Sequence, residues 1–392
     1  MVNLAYFLCG QAGLVPLAIG KPGVAKTCLL IALAKALNLK LYILTGSIRE
    51  PADVAGYPTL VEYILDGVKK HCMEIVPPKY VVKALQEPHL LFIDELTCCH
   101  PGTQSAMLAI AAERRVGDEY LPADMPIFAA CNPPGTAANG YPLEATMANR
   151  LVHLNWIFPR DSWLKGMRNG LNFPDPQPPV LPTDWKKHIV GVSSIIAEFH
   201  ERVPDFLEPN ADDSGELTLS TTERSGAFPT PRTWTMASKG MAAARSIDAG
   251  QLVEEEILRG CGGYAAAEAY YEYADNLDLP DPEPVLARIS TLLKATDTPT
   301  DETLSAAVPS PDRPDKVRAF LGSVTNAILI NSNADRWKAG EEIFRQNIIR
   351  HEEIAIASCG PFYRARPQGV HIDPSMTATV NEVIPASLHH RK

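Results

Sequence analysis

The stretch AIGKPGVAKT, residues 18–27, constrains this chain more than any other. It lies between the apolar run VPLAIG and the pattern KTCLLIALAKALN, which places Leu29, Leu30, Leu33 and Leu37 on one helical stripe. A strand must therefore end and a helix begin within a few residues. The spacing G-x-x-x-x-G-K-[ST] serves phosphate binding, because consecutive backbone N–H groups curl around a β-phosphate at a helix N-terminus. The lysine reaches β and γ oxygens, and the hydroxyl reaches Mg²⁺. Gly20, Gly23, Lys26 and Thr27 fit this pattern, and Gly20, Lys21, Pro22, Gly23, Val24, Ala25, Lys26, Thr27 and Cys28 form the expected cradle for ATP. Ala25 replaces the second glycine of the pattern. The expectation is that it sits at the helix start, where helical dihedrals cost alanine nothing. The competing reading of the stretch is an ordinary strand-to-helix turn.

Five apolar runs recur at Val15, Lys40, Leu90, Pro126 and Leu151, with helical patterns between them, one of them GTQSAMLAIAAERR. Most lack one-sided alternation, so they read as parallel strands covered on both faces. Two turns interrupt this rhythm: Asp66-Gly67 between β-prone arms, and Gly117-Asp118 in RRVGDEYLP. Both read as hairpins inserted into an α/β core. Beyond Trp156 the strand signals stop. Helices are expected at 184–202, 232–246, 253–273, 316–330 and 336–355, with a mobile polar loop from Glu208, proline-rich connectors from Asn172 and Thr296, and a poorly patterned tail ending in HHRK.

Two strand ends carry chemistry. LLFIDEL puts Asp94 and Glu95 at the C-terminal end of a buried strand, where open α/β sheets bind ligands. Asp94 is expected in the Mg²⁺ shell with Thr27, and Glu95 is expected to polarise the attacking water. The competing reading is an acidic helix cap. FAACNPP ends another strand in Asn132, whose neutral amide can hydrogen-bond the γ-phosphate or the water without adding repulsion.

These strings resemble the AAA+ ATPases, and in detail the MoxR branch, over roughly Leu4 to Tyr273. GKPGVAKT resembles its Walker A, and LLFIDELTCCHPGTQSAMLAIAAERRVGD its Walker B with the following helix. AACNPPGTAANGYPLEATMANRLVHLNW resembles the span from sensor 1 to the arginine finger, and PTPRTW resembles sensor 2. The resemblance implies that Arg150 is a finger given to a neighbour's ATP and that Arg232 is a lid arginine. It also implies a helix-two insert at 59–76 and a pre-sensor-1 hairpin at RRVGDEYLP. The expected fold class is α/β, a P-loop AAA+ parallel sheet core (1–158) with these hairpins, then an all-α lid (159–285) and a helical C-terminal extension (286–392). Further implications are chaperone-like remodelling of a protein client and a partner bearing a von Willebrand A domain.

Arg150 at a helix end, where it would serve the next subunit, points to a homo-oligomeric ring, expected to be a hexamer. The alternatives are a nucleic-acid-remodelling motor and a nucleotide-dependent scaffold or switch. Lys+Arg 36 against Asp+Glu 46, a net charge of −10, disfavours nucleic acid. No apolar run supports a membrane span, and the apolar first nineteen residues lack a basic leader region, so a cytoplasmic protein is expected. Cys9, Cys28, Cys72, Cys98, Cys99, Cys131, Cys261 and Cys359 show no C-x-x-C spacing, which points away from a zinc or disulfide framework. Tyr270, Tyr271 and Tyr273 read as packing residues rather than a stacking platform.

Overall fold

The computed structural model describes residues 3–133, 140–173, 177–209, 217–277, 279–294, 313–350 and 352–377. Residues 134–139 between Asn132 and Arg150, most of the second connector and the HHRK tail lie outside them.

A five-stranded parallel sheet organises the N-terminal part. Its strands are β1 (Pro16–Ile19), β2 (Lys40–Thr45), β5 (His89–Asp94), β8 (Ile127–Cys131) and β9 (Val152–Asn155), in the order β2-β5-β8-β1-β9. Leu17 pairs with Ala129 on one side and His153 on the other, so β1 is central and its C-terminal end opens between two neighbours. Burial follows position. Every residue of β8 is buried, and β5 is buried up to Asp94. The expectation of strands covered on both faces fails at β2, which is an edge strand and buries only Leu44 fully.

The two sheet faces have separate cores. Leu17, Ile93, Ile127 and Ala129 pack with Met107 and Ile110 of the helix Pro101–Glu113 and with Val81 of Lys79–Gln86. The opposite face presents Phe128 to the helix Leu4–Gln11. There Tyr6 meets the Phe128 ring at 5.0 Å, and a Cβ on Gly10 would sit 2.1 Å from that ring, so only glycine permits this approach.

Both expected hairpins form. β3 (Tyr57–Leu65) and β4 (Val68–Val76) join through Asp66 at φ 54° and Gly67 at φ 77°, the two left-handed positions of a tight hairpin turn. The ribbon is almost wholly exposed, Leu60, Ile64 and Met73 each by more than 60%. β6 (Arg115–Val116) and β7 (Glu119–Tyr120) make the smaller hairpin, and Asp118 there accepts the backbone N–H of Ile75 at 3.1 Å.

The chain divides into two compact units, Met1–Pro182 with Leu207–Ala267, and Thr183–Phe206 with Glu268–Lys392. The expected boundaries after 158 and 285 both fall inside a unit. In the first unit the helices Pro231–Arg245 and Gln251–Gly262 follow the sheet, and Gly260 approaches the His153 carbonyl so closely that a Cβ would lie 2.7 Å from it. The single helix expected over 253–273 is two, because Gly263 breaks it at φ 85° against the Ala227 carbonyl. Of the polar segment expected to be a loop after Glu208, residues 210–216 lie outside the described residues; beyond them Thr221–Arg224 is a capped helical turn, and Phe228 is buried in the sheet core.

The second unit is helical. Its helices Ile189–Arg202, Pro282–Lys294, Pro314–Ile330, Ala334–Arg350 and Glu352–Arg364 include two that the sequence pattern did not suggest, 282–294 and 352–364. Trp337 stacks on Phe362 at 5.2 Å in a core with Phe320 and Phe344. Asp315 joins Arg202 at 2.7 Å and Arg313 at 2.8 Å. Tyr270 is buried against Phe199, as expected of a packing residue.

Candidate nucleotide site

The loop after β1 turns back over the end of the sheet. Gly20 donates its N–H to the Cys131 carbonyl at 3.2 Å, which holds the loop's first residue on β8. Gly23 has φ 74°, and Ala25 has φ 65° and ψ 23°. This corrects the expectation for Ala25. The helix Lys26–Ala36 begins one residue later, so Ala25 is its left-handed cap, a conformation costing an L-residue about 1–2 kcal/mol. The loop accommodates that strain and is anchored from outside: Trp156, just after β9, donates its indole N–H to the Val24 carbonyl at 2.9 Å. The same tryptophan lies under Gly20, where an added Cβ would come within 2.7 Å of it.

Lys26 sits at the centre. Its Nζ donates to the Gly20 carbonyl at 2.6 Å and lies 3.3 Å from the Cys131 carbonyl and 3.5 Å from Asn132 Oδ1. Burial lowers its pKa, opposed by the charges of Asp94 and Glu95. Asp94 ends β5. Burial raises its pKa, while the Glu95 N–H at 2.9 Å, Lys26 and the Thr27 hydroxyl stabilise its charge. Thr27 and Asp94 thus bring a hydroxyl and a carboxylate together, hard oxygen donors that suit Mg²⁺.

Glu95 adopts φ 56° and ψ 40°, a left-handed conformation for a residue with a long side chain. Such strain is kept where surrounding structure over-determines it, and it is concentrated at functional sites. Ser47 is one of the groups holding Glu95, because its hydroxyl donates to Glu95 Oε2. The turn Gly46–Ile48 after β2 reaches this far because Gly46 has no side chain; a Cβ there would fall 2.0 Å from Cys99 Sγ. Ser47 and Trp156 are site residues that the sequence reading missed. The only signals were a glycine-serine pair after one strand and a tryptophan after another.

Of the expected site residues, Lys26, Thr27, Asp94, Glu95 and Asn132 come together over the ends of β1, β5 and β8. Within the cradle Lys21, Pro22 and Gly23 are exposed, and Cys28 is exposed on the first turn of the helix. Arg150 and Arg232 stand apart from this group. Among the described residues neither makes a hydrogen bond or ion pair with Lys26, Asp94, Glu95 or Asn132. Arg150 follows the short helix Ala145–Ala148 and donates to the Thr146 carbonyl at 2.5 Å. Its pKa is lowered by burial first and by the charge of Arg232 second.

A parallel sheet ordered β2-β5-β8-β1-β9, with a glycine-rich loop after β1 and an acidic pair after β5, defines a P-loop nucleotide-binding domain. The protein-family profile described as AAA domain (dynein-related subfamily) matches residues 17–144, so this region is an AAA domain, carrying two hairpins and followed by helices. A solved structure described as a "putative ATPase" from Cytophaga hutchinsonii is similar at 18% identity, covering 65% of this chain and 79% of that one, with a TM-score of 0.39. So loose a likeness says nothing of function. The comparison with curated proteins found no match.

Proposed function

We propose that the protein is an ATP-hydrolysing AAA+ motor of the MoxR branch, working in the cytoplasm as a hexameric ring that remodels a protein client. The observation that carries this reading is the convergence of Lys26, Thr27, Asp94, Glu95 and Asn132 over three adjacent strand ends. Lys26 and the loop's backbone N–H groups hold the β- and γ-phosphates of ATP. Thr27 and Asp94 would hold Mg²⁺, which supplies charge neutralisation between those phosphates. Glu95 accepts a proton from the attacking water, and Asn132 orients that water or the γ-phosphate without adding charge. Arg150 completes the site of the next subunit. The net charge of −10 favours a protein client over nucleic acid. No described helix is long and apolar enough to cross a membrane. A von Willebrand A domain partner belongs to the proposal on the strength of the sequence resemblance alone.

The experiment is a turnover assay with two variants and their mixture. Glu95→Gln binds ATP and turns it over very slowly. Arg150→Ala binds ATP and loses roughly 10³-fold in rate if it acts as fingers do in other phosphoryl-transfer enzymes. Co-assembled, a Glu95→Gln subunit gives its intact Arg150 to an Arg150→Ala neighbour, and activity returns. Mixed assemblies that stay as inactive as their parents, with co-purification proving that they form, refute the ring mechanism.

A further inference from the structure

The turn that follows β2 does more than reach Glu95. Ser47, Arg49 and Glu50 form one wall of a basin of about 620 Å³, and His100 and Tyr141 stand across from them. Short bonds fix these walls. The Arg49 N–H donates to the Gly46 carbonyl at 3.2 Å, the Arg49 carbonyl accepts the Thr103 hydroxyl at 3.1 Å, and the Tyr141 N–H donates to the Thr97 carbonyl at 2.8 Å. His100 packs edge-on against the Tyr141 ring at 6.0 Å.

What the basin offers is mostly donors. Arg49 Nε is buried without a hydrogen-bond partner, and among the described residues its guanidinium makes no ion pair. His100 Nδ1 accepts the Gly102 N–H at 3.3 Å, which puts the ring proton on Nε2 and makes that atom a donor. Tyr141 adds a hydroxyl. Glu50 opposes an anion, but it is drawn to the start of the helix Pro51–Ala55, where it forms a capping box with Asp53. A buried guanidinium nitrogen left unpaired is costly, and the fork of an arginine suits phosphate.

Position names the anion. In the order β2-β5-β8-β1-β9, Glu95 follows β5, Lys26 follows the loop after β1, and Ser47 follows β2, so the phosphate loop and the basin flank Glu95 from opposite sides. The Ser47 hydroxyl, committed to Glu95, joins the two. A phosphate freed from ADP is repelled by ADP and by Glu95, and beyond Glu95 lies the unpaired cation of Arg49.

We propose that this basin is a second anion site, which takes the inorganic phosphate released by hydrolysis and holds it on Arg49, His100 and Tyr141 before it passes to solvent. The identity of the anion rests on the ATPase reading above; the donor-lined basin does not.

The probe is inorganic phosphate, titrated by phosphorus NMR into the ADP complex of the whole chain at fixed ionic strength. Arg49→Gln is expected to weaken phosphate binding roughly 10-fold or more, as the loss of hydrogen bonds to a charged group does. Tyr141→Phe, at an exposed position, weakens it a few-fold, and wild-type ADP affinity shows that each variant is folded. Lys26→Ala, titrated without nucleotide, still binds phosphate. Binding lost in Lys26→Ala and kept in Arg49→Gln and Tyr141→Phe puts the ion on the phosphate loop and overturns the inference, as does a wild-type protein that binds none. Acetate should not displace the phosphate; displacement by acetate at equal concentration assigns the basin to a protein carboxylate and overturns it too. In turnover, added phosphate inhibits the wild type without raising KM for ATP, because the outgoing phosphate finds its station filled, whereas inhibition competitive with ATP refutes that role. Absence of turnover in a protein that binds phosphate in the expected pattern overturns the ATPase reading and the product role with it, and leaves the anion site standing.

Discussion

The indole N–H of Trp156 donates to the Val24 carbonyl at 2.9 Å, so a residue beyond the last strand of the sheet holds the middle of the phosphate loop. Tyr6 packs edge-on against the same ring at 5.4 Å and fixes it from behind. Trp156→Phe keeps the packing and removes the hydrogen bond. It should weaken ATP affinity about fivefold, in line with one lost hydrogen bond of about 1 kcal/mol, while the thermal midpoint moves little. Titration with a fluorescent nucleotide measures this, and unchanged affinity would show that the loop needs no such anchor.

Ala25→Gly tests the strain at the loop. Glycine relieves the left-handed penalty of about 1–2 kcal/mol but gives back about 0.4–1 kcal/mol through the freedom it adds to the unfolded chain. The net expectation is a rise in stability of between about 0 and 1.6 kcal/mol, read by urea denaturation. An alanine in ordinary helical conformation would give the opposite sign, since glycine then costs about 1 kcal/mol.

Ser47 donates to one oxygen of the Glu95 carboxylate, the group proposed above to accept a proton from water. Ser47→Ala should therefore raise basal ATP turnover a few-fold with affinity unchanged. If turnover falls instead, the hydroxyl aligns Glu95 for the reaction rather than restraining it, a distinction that steady-state kinetics on the purified variant settles.

In the helical unit two carboxylates respond to pH in opposite directions. Burial raises Glu198 to about 7, against the attraction of Arg318, so its folded pKa lies above the unfolded one. The native state holds the extra proton between the two values, and stability falls as pH rises through that interval. The hydrogen bond from Arg313 lowers Asp315 to about 2, so its contribution is present above the unfolded value near 4 and is lost as pH falls toward 2. Glu198→Gln should gain stability relative to wild type on going from pH 5 to pH 8. Chemical denaturation at the two values checks this, and a pH-independent difference would mean that Glu198 ionises without penalty.

Local signals made much of this architecture legible. The loop, the acidic pair and Asn132 each sit at the end of an apolar run, and chain order alone indicates that three such ends belong to one sheet. The Asp66-Gly67 turn was equally plain, because both residues must take positive φ and both types tolerate it. What escaped notice depends on distance in the chain. Trp156 is 132 residues from Val24, and Ser47 is 48 from Glu95. No periodicity records such pairings. Ala25 misled for a different reason: the boundary of the helix moved by one residue, and that shift carries the alanine from a relaxed conformation into a strained one. Helix 352–364 was obscured by Pro361 within it, and the break at Gly263 by the apolar stripe that runs through it.

The β3–β4 ribbon has a mechanical consequence. Each arm has nine residues, about 30 Å of strand, with no further strand paired to either outer edge among the described residues, and its base is held where Ile75 meets Asp118 and where Gly56 lies against the Val76 carbonyl. Asp118 belongs to the hairpin that follows the helix Pro101–Glu113, which in turn starts six residues after Glu95. The backbone between the acidic residue and the ribbon's base is thus the 3-10 turn Leu96–Cys98, the thirteen-residue helix Pro101–Glu113 and the short strand β6. A tilt of roughly 10° at that base would carry the Asp66-Gly67 tip by about 5 Å over the arm's ~30 Å length. The ribbon is a lever whose fulcrum lies one helix away from Glu95.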